Sequence, residues 1–242
     1  MDSKELSAKK QNIREYIWSL LEKERVTRFP KPVFGRIPNF QGAEEAAAKL
    51  RELKVFSDAR VVKVSPDAPQ RPVREIVLRQ GKRLLVPTPR LRKGFLLVDP
   101  VNNLGIDASF AATIRGAWEY GRPVGLGALP RVDLIVTGSV AVSESGVRVG
   151  KGGGYSEIEY GILRELRLVD ENTQIVTTVH DLQVVEEVPA EEHDLTVDKI
   201  VTPTRIIDIR RKRPEPKGIF WDEVTDQMLE EIPLLKELAK AR

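Results

Sequence analysis

Apolar positions fall into two rhythms along the chain. Over residues 3–24, Leu6, Ile13, Ile17, Leu20 and Leu21 recur at helical spacing among charges. This predicts an amphipathic first helix that carries Lys10 and Arg14, four apart, on one face. The stretch RFPKPVFGRIPNF (28–40) holds three prolines and a glycine and reads as an irregular, extended connection. An alanine-rich helix is predicted from about Gly42 to Leu53, followed by a strand at ARVVKVS and a turn at DAPQRP that opens a short helix to Gln80. Strands are expected at KRLLVPTPRL and FLLVDP, and a helix around 108–120. VDLIVTGSVAVS is apolar without alternation, as strands buried on both faces are, and supplies one or two of them. An amphipathic helix follows from about Tyr155 to Leu168, then strands at TQIVTTVH and DKIVTPTRIIDI. The last helix spans roughly 221–241, interrupted or restarted at Pro233. Helices alternating with short apolar strands predict an α/β sandwich with a largely parallel sheet. There is no internal repeat, so residues 1–242 read as one domain, with 210–218 a basic, proline-rich connector to the C-terminal helix.

Charge narrows this little: 39 basic residues nearly match 36 acidic ones, and the net charge of +3 does not demand a nucleic acid. The absence of cysteine excludes disulfides, thiolate metal sites and a cysteine nucleophile. The N-terminal segment is charged and helical, unlike a secretory signal, and no apolar run approaches the roughly 18 residues of a membrane span. A soluble, cytoplasmic protein with no membrane partner is the expectation; oligomeric state is not encoded in these features.

RVGKGGGYSE (148–157) concentrates four glycines, two cations and an acid. Glycines there cost chain entropy and packing, so the local order of strand, glycine run and helix needs a reason. Backbone N–H groups of such a loop, together with the positive end of the helix behind it, form a cradle suited to phosphate. Lys151 and Arg148 would add cationic donors. It is not a Walker A loop, since Gly152 follows Lys151, nor a dinucleotide fingerprint, since Tyr155 stands at the sixth position of GKGGGY. A flexible surface turn is the other local reading. Glu157, on the first turn of the helix, either meets a phosphate-bound Mg²⁺ or compensates the helix dipole. A second cluster, Glu191, Glu192, His193, Asp194 and Asp198, precedes an apolar strand; with two histidines in the chain, a His-rich zinc site is not expected.

KQNIR (10–14), RVGKGGGY (148–155) and VPAEEHDLTVD (188–198), in this order, resemble the 5-formyltetrahydrofolate cyclo-ligase (methenyltetrahydrofolate synthetase) family. That family shows K-x-x-[LI]-R, then R-x-G-[RK]-G-x-G-Y-Y-D, then P-x-x-x-[HN]-D. RIPNFQGA, VKVSPDAPQ, LLVPTPRLRKG and KGIFWDEV are similar to its methenyltetrahydrofolate synthetase domain-containing branch. The resemblance implies a three-layer α/β/α fold and an ATP- and Mg²⁺-dependent ring closure of 5-formyltetrahydrofolate, or a related formyl-pterin, to the 5,10-methenyl form. It implies that Lys10 and Arg14 hold ATP phosphates. Gly150, Lys151, Gly152, Gly153 and Gly154 would form the cradle behind Arg148, and Tyr155 would stand near the reacting formyl group. Asp194 would be a magnesium-associated carboxylate beside Glu157. Arg90 and Arg92 in PTPRLRKG would grip an anionic substrate tail, or form a solvated basic turn. The chain departs from the pattern in two places. Tyr-Tyr-Asp becomes Tyr155-Ser156-Glu157, and counting back from RQGKRLLVP to the family's folate-binding glutamate reaches Gln70–Arg71, with Glu75 the next acid on. An enzyme of the same fold with a different small substrate remains open. So does a non-catalytic nucleotide- or RNA-binding module using RRKR (210–213), Lys217, Phe220 and Trp221.

Overall fold

The computed structural model describes residues 3–103, 105–210 and 214–241. Its first part holds α1 (Ser3–Lys23), α2 (Ala43–Lys49), α3 (Lys54–Asp58), β1 (Val61–Val64), α4 (Arg71–Arg79), β2 (Arg83–Pro87) and β3 (Phe95–Val98). The middle holds α5 (Ala108–Ala111), α6 (Ile114–Tyr120), β4 (Arg122–Val124), β5 (Leu134–Thr137), β6 (Ala141–Ser143), β7 (Arg148–Val149) and α7 (Tyr155–Glu165). The rest comprises β8 (Gln174–Thr178), β9 (Val184–Val185), β10 (Lys199–Val201), β11 (Ile206–Asp208), α8 (Asp226–Glu231) and α9 (Pro233–Ala241).

Eight strands form one sheet in the order β11-β10-β8-β5-β1-β2-β3-β4. The five from β10 to β2 are parallel, with β11 antiparallel to β10 at one edge and, at the other, β3 antiparallel to β2 and β4 antiparallel to β3. Alternate residues point to opposite faces. Val61, Leu85, Ile135, Ile175 and Ile200 join a core with α7 and α9, whereas Val62, Val64, Leu84, Val86 and Val136 join a second core with α2, α4 and α6. Both faces are covered, which is why these strands read as apolar runs rather than alternating ones. The result is the expected three-layer α/β arrangement.

VDLIVTGSVAVS gives two strands in two different sheets. The chain leaves the main sheet after β5, and β6 pairs instead with β7 and β9 in a three-stranded sheet. Gly138 allows the turn: a Cβ there would lie 2.6 Å from Gln70 Oε1 and 2.7 Å from Ile37 Cγ2. The glycine loop therefore departs from the small sheet, not from a central strand. Helix α1 packs on this small sheet through Ile17, Trp18 and Leu21, against Val140, Ala141 and Val149. The helix expected around 108–120 divides at Thr113, whose Oγ1 accepts the Gly116 N–H at 2.9 Å and caps α6. DKIVTPTRIIDI turns back on itself as the β10–β11 hairpin. The final helix is a short 3-10 turn at Trp221–Glu223 followed by α8 and α9, with Pro233 opening the latter. Of the basic connector, residues 211–213 lie outside the described residues. Among the described residues no helix is long and apolar enough to cross a membrane.

Candidate functional site

Gly150–Gly154 bridge β7 and α7, and three of them need the missing side chain for different reasons. Gly152 (φ +99°) and Gly154 (φ +65°) adopt the left-handed region, Gly154 as the N-cap of α7. A Cβ on Gly153 would lie 2.7 Å from the Tyr155 ring. The loop edges a cavity of about 330 Å³, with the N-terminus of the eleven-residue α7 beside it.

Helix α1 brings Lys10 and Arg14 to the same cavity because its apolar face is seated on the small sheet. Lys10 Nζ donates to Asp194 at 2.5 Å and Glu191 at 2.9 Å. Arg14 Nε donates to the Gly150 carbonyl at 2.8 Å, and its guanidinium faces Gly152. Burial lowers the Arg14 pKa, opposed by Asp194 and Glu157. Arg148 is almost fully buried and donates to Glu157 at 2.7 Å, leaving its Nε without a hydrogen-bond partner among the described residues. Lys151 donates to Asp67 at 2.8 Å.

A second cavity of about 660 Å³ opens on the other side of the loop. The two share Ile37, Asp67, Lys151, Gly152, Gly153, Tyr155 and Ser156, so they form one groove with a waist at the Lys151–Asp67 pair. Arg36 and Arg90 are the further cations of this half, while Arg92 lines neither cavity. Tyr155 stands at the waist, its hydroxyl 3.5 Å from Glu231 Oε2 of α8. Glu159 lines the deep wall, buried against Lys63 of β1. Burial raises the Glu159 pKa, and the Lys63 charge opposes that rise.

The structure thus gathers Lys10, Arg14, Arg148, the whole glycine loop, Tyr155, Glu157 and Asp194 at one groove, from segments up to 184 residues apart. The two carboxylates named for magnesium have separate partners. Asp194 also accepts the Glu191 N–H at 2.7 Å, while Glu157 is held by Arg148. Glu191, His193 and Asp194 offer one ligand atom each, all within 4.8 Å of one another. The two carboxylates offer the oxygen donors that Mg²⁺ takes, whereas the imidazole suits softer transition cations. Lys10 supplies the carboxylates' counter-charge here.

Sequence reasoning looked for an acid at Gln70–Arg71 and missed Asp67. Gln70 is buried beneath the groove, its Nε2 donating to Thr178 Oγ1 at 3.0 Å, and its Oε1 has no partner among the described residues. Arg71 turns outward to Ser109, and Glu75 pairs with Arg79 on the exposed side of α4. Asp67 instead sits directly past the carboxyl end of β1, where open parallel sheets place ligand-binding residues. Its position after the strand ARVVKVS was the available signal. Lys63, Glu159 and Arg36 were also missed, and nothing local in the sequence marks them. Of the residues considered for RNA, Lys217 is exposed. The Trp221 indole donates to Glu165 at 3.0 Å, and the Phe220 ring packs edge-on to His193 with centroids 6.0 Å apart.

The chain is 49% identical over 233 residues to a methenyltetrahydrofolate synthase domain-containing protein of Mus musculus, covering 95% of this chain and 63% of that one. The Homo sapiens protein of the same description is 46% identical over 242 residues, covering 98% and 63%. The chain therefore spans less than two thirds of the length of these relatives. A 5-formyltetrahydrofolate cyclo-ligase of Escherichia coli is 36% identical over 78 residues, 32% of this chain and 40% of that one. In fold, the chain is similar to the Aquifex aeolicus 5,10-methenyltetrahydrofolate synthetase, with a TM-score of 0.53 and 22% identity, covering 84% and 94% of the two chains. The model of the 5-formyltetrahydrofolate cyclo-ligase family matches residues 6–203, a span that takes in most of α1, the glycine loop and Asp194, and to that family this chain belongs.

Proposed function

We propose that the chain catalyses the ATP- and Mg²⁺-dependent closure of 5-formyltetrahydrofolate, or a related formyl-pterin, to the 5,10-methenyl form. The observation that carries this reading is the single groove in which a glycine phosphate cradle adjoins, through Lys151 and Asp67, a larger half that can hold a flat substrate. A formamide oxygen is a poor leaving group. Its attack on the γ-phosphorus of ATP releases ADP and converts it into a phosphate ester; the neighbouring amine then attacks the carbon, loses its proton, and phosphate departs with the former formyl oxygen. Such a reaction depends on positioning and charge stabilisation more than on covalent help from side chains.

Each half of the groove has its part. Lys10, Arg14, Arg148, Lys151 and the amides of Gly150–Gly154 would hold the phosphates. Asp67 would accept hydrogen bonds from the amino-pyrimidine edge of a pterin, the task expected of an acid near Gln70. Tyr155 would wall the reacting carbon, and Arg90, with Arg36 in place of Arg92, would meet an anionic tail. Asp194 and Glu191, with Glu157 nearby, would hold Mg²⁺ through carboxylate oxygens, and the ion when bound neutralises charge on the polyphosphate. The membership supports this chemistry; the substrate and the nucleotide are this reading's own.

The test is ADP release from Mg²⁺-ATP by the purified protein, with and without 5-formyltetrahydrofolate, alongside the methenyl product. Folate-dependent release matched by product supports the reading. A preparation that binds ATP but shows neither overturns it.

A further inference from the structure

The family match ends at residue 203, yet the chain beyond it comes back to the groove. Residues 214–228 form a strap anchored at several points. Buried Glu215 accepts hydrogen bonds from the Thr196 hydroxyl and, at 3.4 Å, from its N–H. Ile219 sits on Gly161 of α7, where a Cβ would come within 2.7 Å of its Cγ1. Glu165 accepts from the Ile219 N–H at 3.3 Å and from the Trp221 indole at 3.0 Å. Glu223 holds the His193 ring, Nδ1 to Oε2, at 2.8 Å.

Between strap and glycine loop lies a cavity of about 100 Å³. It shares Gly154, Glu157, His193 and Met228 with the phosphate half of the groove, so the two are continuous. Its inner walls are Ile158, Ile219, Phe220, Val224 and Met228, with the polar side chains confined to Glu157, His193 and Glu223. A polyphosphate gains nothing from such walls, and neither does a ribose. A flat heteroaromatic ring does: its faces pack on apolar and aromatic side chains while its edges keep polar neighbours.

We infer that this cavity holds the base of the nucleotide, and that the strap outside the common cyclo-ligase span supplies the wall that receives it. The inference rests on the nucleotide reading of the glycine loop and adds to it the residues that hold the base. Phosphate contacts come from α1 and the loop; base contacts come from Phe220, Val224 and Met228.

The experiment compares Mg²⁺-ATP with Mg²⁺-tripolyphosphate, which has the phosphate chain and no nucleoside, by calorimetry on the full chain. ATP is expected to bind about tenfold tighter or better, the gain of stacking one base. Val224→Phe fills the cavity and should remove most of that preference while leaving tripolyphosphate binding unchanged. Phe220→Ala, which empties the wall instead, should weaken ATP selectively too; thermal unfolding verifies that each variant is folded. A preference for ATP that survives both substitutions places the base elsewhere and overturns the inference while the nucleotide reading stands. Equal wild-type affinity for the two ligands also overturns it. Failure of the wild-type chain to bind either ligand overturns both.

Discussion

Glu159 is a carboxylate taken out of water and set against Lys63, each almost completely buried. Removing one member of such a pair leaves a stranded charge, whereas replacing both by apolar residues is often neutral or better. Glu159→Gln is therefore expected to lower unfolding free energy by about 3–5 kcal/mol in denaturant titration. The double substitution Lys63→Met/Glu159→Leu should recover most of the loss. An unaffected single variant would contradict this account. His180 carries a different message. Its Nδ1 accepts the Leu182 N–H at 3.1 Å, which requires the neutral ring, and burial lowers its pKa below the ordinary 6.5. A depressed histidine pKa means that the unfolded chain binds the proton more readily, so stability falls as pH drops through and below about 6.5. Thermal midpoints between pH 7.5 and 5.5 should show that decline, and His180→Asn, which keeps an acceptor but cannot titrate there, should flatten it.

At the scale of elements, the glycine loop and α1 are parts of one device. The loop's carbonyl at Gly150 accepts from Arg14, and Gly152 lies against the same guanidinium. Gly152→Ala forces an L side chain to a φ of +99°, at a cost of about 1–2 kcal/mol, beside the Arg14 guanidinium. It should weaken ATP binding in calorimetry. Gly127→Ala, at an unstrained position with open space around the new methyl, should change neither binding nor thermal stability. The loop was legible because its order of strand, glycines and helix is contiguous in sequence. The sheet that feeds it was not, since the departure of β6 turns on Gly138 meeting Gln70 and Ile37, contacts that no local pattern shows. The α/β layering was legible from apolar runs such as LIVT and QIVTT, because burial on both faces is a property of each strand alone. Asp67, Lys63 and Glu159 escaped for the opposite reason. Their meaning depends on partners 84 or 96 residues away, and a single acid or lysine in a strand or turn carries no mark of such a partner.

For the molecule as a whole, the half of the groove edged by the glycine loop and α1 has an even charge account. Four cations line it, Lys10, Arg14, Arg148 and Lys151, and so do four carboxylates, Asp67, Glu157, Glu191 and Asp194. A chain of net charge +3 has not built an open basic funnel here. Lys10, Arg148 and Lys151 are each held by a carboxylate, and Arg14 by a backbone carbonyl. A polyphosphate entering alone would draw cations from their partners and strand several acids, an unfavourable trade in a part-buried cavity. A polyphosphate that arrives with a divalent cation offers both sides a replacement. The groove then behaves as an ion exchanger rather than an anion trap. Free ATP in the presence of EDTA should bind at least about tenfold more weakly than Mg²⁺-ATP in calorimetry. Mg²⁺-ATP affinity should change little between low and moderate salt, where an uncompensated basic site would lose affinity steeply. Stray phosphates and sulfates would then be refused without any steric gate, simply because they bring one ion where the site asks for two.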